Sequence, residues 1–298
     1  VSCPLPRGGA AGANRPGASL GEPVNASNGN MWISHTDYLV PGIGEPVEVT
    51  RFYNSVVQTA GLFGHGWSTK FDESLVFINS QVVRWNRSDG KAVYFGREFT
   101  SQPWRDFSKE FMTLVDNGDT TFSVKDRVGK ELRFNQAGRL LSLKDRNGNT
   151  TALTYDANQD LIAATDQAGR TLTFTPNANG TISEISDSSG SIATYEYESG
   201  TTRLKTVTFA DGSKYKLTYI TVAGKTVLTT VKDALDNVLE YHEYDTSARA
   251  ITSEKQGGQE KFTFSYQTLA SFYRQTTVTD GLGRVMNYWF LQNGGEWP

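Results

Sequence analysis

An aspartate, a glycine three residues on and an aromatic five beyond that return about every twenty residues through the second half of the chain. Asp126, Gly129 and Phe134 form one set. Asp166, Gly169 and Phe174, then Asp187, Gly190 and Tyr195, then Asp280, Gly283 and Tyr288 form others. Asp145 with Gly148 and Tyr155, and Asp233 with Tyr241, vary the pattern. A fixed period of this length signals stacked copies of one supersecondary unit, each too small to bury its apolar face alone. In the copy at 143–162 (LKDRNGNTTALTYDANQDLI), Asn147-Gly148 stands between alternating apolar and polar runs. That dipeptide predicts a tight hairpin with both turn residues at positive φ. The unit is strand, tight turn, strand, and the fold class is all-β, built from antiparallel β-hairpin repeats.

One segment sets two periods against each other. Residues 233–249 (DALDNVLEYHEYDTSAR) place Leu235, Val238, Leu239 and His242 at helical spacing. In the register of the repeat, Asp236 takes the turn-glycine slot and Val238–Tyr244 is a strand. The repeat is preferred over the local period.

Upstream, residues 23–122 read as a β-rich domain. MWISHTDY, PVEVTRFYNS, WSTKFDESLVFI, QVVRWN and KAVYFG alternate and are rich in β-branched and aromatic residues. Turn signals such as Pro41-Gly42, Gly64-His65-Gly66 and Ser88-Asp89-Gly90 separate them. Residues 1–22 form an extended tail rich in Gly, Ala and Pro, which orders only if its own domain or a neighbouring chain holds it. Residues 123–298 carry the repeats.

Bulk properties exclude several classes. Net charge is -3 with no basic stripe, which argues against nucleic acid and anionic membrane as partners. Cys3 is the only cysteine, so no intrachain disulfide and no cysteine metal site can form. No apolar run approaches membrane-spanning length.

Copies such as DRNGNTTALTYDANQDL resemble the YD repeats of Rhs proteins and the related teneurins. The stretches EPVNASNGNMWISHTDYLVPGIGEPVEVTRFYNS and GLFGHGWSTKFDESL resemble the domain that precedes those repeats in bacterial Rhs proteins. The resemblance implies a curved or spiralling β-ribbon that closes into a hollow shell around a C-terminal toxin or effector. It also implies a secreted or cell-surface bacterial setting. The family's shell-closing region carries an autoproteolytic motif around Asp-Pro, and this chain has no Asp-Pro pair. The sequence stops at Pro298 without a cargo domain, which leaves fragment, truncated relative and altered use of the ribbon open.

Candidate chemistry is sparse. Asp145, Asn147, Asn149, Thr151 and Asp156 match positions of a calcium loop, yet Thr150 stands where the template needs glycine. Turn chemistry explains the same residues and is preferred. His35 and Asp37 alternate on a strand and could pair, but no nucleophile elbow accompanies them. The pairs Asp72-Glu73 and Glu240/Glu243 do not mark a glycosidase. Trp85, Trp104 and Trp289 leave a glycan partner open, with an aromatic inner face as the favoured reading. No cofactor is expected. The leading function is non-catalytic: part of a β-shell that encloses or presents a polypeptide. Alternatives are a self-assembling filament or sheath joined through the tail and open β edges, and a carbohydrate-binding surface protein.

Overall fold

A computed structural model describes residues 19–20, 24–40, 47–270 and 273–291. The tail at 1–18, with Cys3, and the Pro41-Gly42 turn lie outside the described residues. Every regular element of more than three residues is a strand. Among the described residues, no helix is long and apolar enough to cross a membrane. Two compact units divide the described chain: one takes in 36–50 and 69–192, the other 24–35, 51–68 and 193–291.

The repeats form a 17-stranded antiparallel sheet from Thr113–Asp116 to Val285–Leu291, with each strand beside its sequence neighbour. Alternation sets the faces. In Thr171–Pro176, Leu172 and Phe174 are buried while Thr171, Thr173 and Thr175 are exposed. Residues 238–244 form the strand Val238–Tyr244, and Asp236 adopts φ +67° in the glycine slot. The repeat, not the helical spacing, decides this segment.

The turns differ from the two-residue form that Asn-Gly predicts. The Gly148 N–H donates to the Asp145 carbonyl at 3.1 Å, and the Asp145 N–H donates to the Asn149 carbonyl at 2.9 Å. Gly148 has φ +91°, whereas Asn147 is not at positive φ. This is a three-residue loop, a type I turn closed by one left-handed residue. The aspartate explains the choice. Its Oδ1 accepts the Asn147 and Asn149 N–H groups at 2.8 and 2.9 Å, which fixes the turn from its first residue. Asp126, Asp166, Asp233 and Asp280 hold their loops in the same way.

Each repeat contains a second turn, at the opposite end of the hairpin, and a β-bulge precedes it. The register shifts where Phe134 faces Leu140, Tyr155 faces Leu161, Pro176 faces Ile182, Tyr197 faces Leu204, Tyr219 faces Leu228 and Tyr244 faces Ala250. The aliphatic partners are all buried. A bulge at the same point of successive repeats bends and twists the ribbon locally at regular intervals.

The eighth-residue aromatic does not always face inward. Phe134, Phe174 and Tyr195 are buried, but Tyr241 and Tyr288 are only partly so. Beside Tyr241, a bulge where Val231 and Lys232 meet Glu240 and Val238 shifts the strand by one residue. A one-residue shift exchanges the faces, so His242 takes the inner slot with 1% exposure. Tyr288 lies on Val285–Leu291, which among the described residues has a strand neighbour on one side only.

Candidate functional site

Three loop glycines mark where N-terminal segments are joined to repeat turns, backbone to backbone. In the first unit the Leu75 N–H donates to the Gly138 carbonyl at 2.8 Å, and a Cβ on Gly138 would stand 1.8 Å from the Leu75 oxygen. In the second, the His65 N–H donates to the Thr202 carbonyl at 2.9 Å, and a Cβ on Gly64 would stand 2.1 Å from that oxygen. There too the Ala250 N–H donates to the Gly29 carbonyl at 2.9 Å, with Arg249 packed against Gly29. Only glycine permits these approaches. The Gly64-His65-Gly66-Trp67 turn is thus a packing turn.

Behind it, the second unit holds an aromatic cluster. Trp67, Tyr53 and Phe63 are fully buried, and the Arg51 guanidinium, itself buried, lies 4.7 Å from the Trp67 ring centre. Trp67 Nε1 donates to the Tyr219 hydroxyl at 2.9 Å, and the Leu228 N–H donates to the Tyr53 hydroxyl at 2.8 Å. Burial raises both phenols far above the ordinary tyrosine value, so both stay neutral.

A third device recurs within the ribbon. Tyr155, Tyr244 and Tyr266 donate their hydroxyls to the carbonyls of Leu140, Leu228 and Ala250, at 2.6, 2.7 and 2.7 Å. The ladders concerned end at Ser142 with Ala152, Thr230 with Tyr241 and Thr252 with Thr263. Each carbonyl lies two residues beyond a ladder end, so the tyrosine supplies the donor that the adjacent strand no longer provides. In Tyr155-Asp156 and Tyr244-Asp245 the Tyr caps the ladder and the Asp begins the next turn, whereas Tyr266 caps from within the strand Gln259–Ala270. Burial pushes the Tyr155 phenol up to about 12, with the Arg139 guanidinium opposing.

Turn carboxylates are held below their usual range. The Asn149 side-chain amide leads for Asp145 and that of Asn237 for Asp233; the Tyr38 hydroxyl leads for Asp187 and the Arg284 backbone N–H for Asp280. In Asp166 burial opposes, but the Arg170 bonds prevail. Glu73 behaves in the opposite way. Its carboxylate accepts from Trp85 Nε1 at 3.0 Å and from Ser88 Oγ at 2.9 Å. Burial nevertheless pushes it up to about 7, against the Ser88 bonds and the Arg87 charge.

The calcium constellation does not converge. Asp145 spends its oxygens on its own loop, including Asn149 Nδ2 at 2.8 Å. Asp156 begins the next loop, where it accepts the Asp160 N–H at 2.8 Å. The six-residue strand Thr150–Tyr155 separates the two loops, by about 20 Å of extended chain. Thr151 is buried. Among the described residues no group of three or more His, Cys, Asp or Glu is arranged to hold a metal ion. Trp85 and Trp104 are buried, with Arg97 4.1 Å over the Trp104 ring centre, so neither presents a face to a sugar; Trp289 is 63% exposed. His35 packs 5.0 Å from the Tyr215 ring centre, and its Nε2 lies 3.7 Å from Glu240. His242 Nε2 stands 3.7 Å from the other Glu240 oxygen.

Sequence reasoning missed Arg51, Gly138 and Tyr266, and weighed Glu73 only as half of the Asp72-Glu73 pair. The one available signal was the position of Gly138 and Tyr266 in repeat turns and ladder ends.

These features define a repeat protein of antiparallel hairpins with an N-terminal region joined to their turns. The resemblance to the Rhs and YD-repeat proteins is matched in both regions: residues 21–95 match the family described as Domain of unknown function (DUF6531), and residues 107–230 match Teneurin YD-shell. It is 26% identical over 149 residues to the tRNA nuclease WapA of Bacillus subtilis (strain 168), covering 46% of this chain and 6% of that protein. A tRNA3(Ser)-specific nuclease WapA of Bacillus spizizenii matches to the same extent. Among solved structures, TcdB2-TccC3-Cdc42 aligns with a TM-score of 0.36 and 12% identity, over 88% of this chain and 15% of that one. The chain thus spans a small part of each relative.

Proposed function

We propose that this chain is a non-catalytic segment of a YD-repeat shell that encloses or presents a polypeptide, in a secreted or cell-surface bacterial protein. The observation that carries the reading is the unbroken order of the 17-stranded sheet, which begins in residues 107–230, matched to a teneurin YD-shell, and continues past them to Leu291. The recurring devices in the site serve that sheet. Aspartates fix one row of turns, bulges and tyrosine caps organise the other, and glycine contacts join the N-terminal region to it. The relatives named as nucleases share a fraction of their length with this chain, so an activity housed elsewhere in such proteins fits a carrier role here. Protease challenge of the full polypeptide tests the reading. A linked polypeptide should resist digestion until the repeats unfold. Digestion at the rate of the free polypeptide would contradict it.

One observation favours self-association as a second reading. The last strand, Val285–Leu291 (VMNYWFL), has no charge and no proline, and its Val285, Trp289 and Leu291 are exposed. Such an edge pairs readily with another strand.

A further inference from the structure

We propose that Asn147 is a site of spontaneous covalent modification, converting through a cyclic imide to aspartate and isoaspartate in the folded protein. The chemistry needs only water. The Gly148 backbone nitrogen gives its proton to solvent base and attacks Asn147 Cγ; the new C–N bond closes a five-membered imide and the side-chain amide leaves as ammonia. Water then opens either carbonyl. Attack is easiest before glycine, which offers no side chain to obstruct it.

Four Asn-Gly pairs lie among the described residues, and three have the asparagine side chain restrained. Asn28 Oδ1 accepts the Asn30 N–H at 2.9 Å, and Asn117 Nδ2 donates to Thr121 and Ser123 at 3.0 and 2.9 Å. Asn179 Oδ1 accepts from Thr181 N–H and Oγ at 3.2 and 2.7 Å. Asn147 is exposed and is tied only through its backbone N–H to Asp145.

The comparison with Asn179 is close to a controlled one. Both asparagines stand just before the left-handed glycine of a three-residue loop, and both are exposed. The difference lies two residues on. Thr181 turns back to clasp Asn179, whereas Asn149 sends its amide to Asp145 instead. A side chain that is not clasped samples the attack geometry during local opening of the loop. Isoaspartate would add a methylene to a backbone path closed by the 2.9 Å bond from Asp145 to Asn149, and would unlatch that hairpin.

Peptide mapping of the folded protein after prolonged incubation at neutral pH tests this. Isoaspartate should accumulate several-fold faster at 147 than at 179, while the two convert alike in denaturant. Asn149→Thr, which supplies the missing clasp, should slow 147; Thr181→Val should speed 179. Equal rates at 147 and 179 in the folded wild-type protein would overturn the proposal, whichever way the variants fold. It stands or falls apart from the shell reading.

Discussion

A tyrosine hydroxyl and a turn glycine make the sharpest demands at the scale of single residues. Tyr155→Phe removes the donor for the Leu140 carbonyl and leaves a part-buried acceptor unpaired. The expected loss is about 1–2 kcal/mol in chemical denaturation. Tyr288→Phe should be near neutral, because its hydroxyl meets only the Met286 sulfur at 3.6 Å. Glycines separate in the same way. Gly148→Ala meets nothing within 4 Å and bears only the strain of positive φ, about 1 kcal/mol. Gly138→Ala drives a Cβ into the Leu75 carbonyl and should cost at least about 3 kcal/mol or prevent folding. Matched denaturation midpoints for the two variants check this.

At the scale of elements, Glu73 ties stability of the first unit to pH. Its folded value is raised from 4.5 to about 7. Between those values the folded chain keeps a proton that the unfolded chain has released. The contribution is fully present below 4.5 and is lost as pH rises through about 7. The swing should be on the order of 2 kcal/mol after allowance for solvent screening. Glu73→Gln should flatten it, as read from midpoints at a series of pH values.

The elements also show what the sequence makes legible. Period and alternation placed Val238–Tyr244 as a strand and Asp236 in the glycine slot, because turn chemistry repeats locally. Loop length was not legible, since Asn-Gly suits a two-residue turn and only the capping Asp145 selects three. Nor was the inner position of His242, because a bulge leaves no spacing signal and yet exchanges the faces. The seam at Gly138 arises from contact with the distant Leu75, and the raised Glu73 from burial beside Trp85 and Ser88 across one hairpin; neither is encoded by the period of the repeat.

On the scale of the whole molecule, the exposed edge Val285–Leu291 and the shell reading make different demands. If the edge pairs with a second copy, light scattering of the purified chain should show growth with concentration. Trp289→Lys should suppress that growth by placing a charge on the strand. If the ribbon serves as a shell segment, the edge belongs to pairing within one particle. Electron microscopy of the full polypeptide that carries these repeats tests the central claim most directly. The account predicts a closed particle with a wall of β-ribbon and density for a polypeptide inside it. An open sheet or an extended filament with no enclosed density would contradict it.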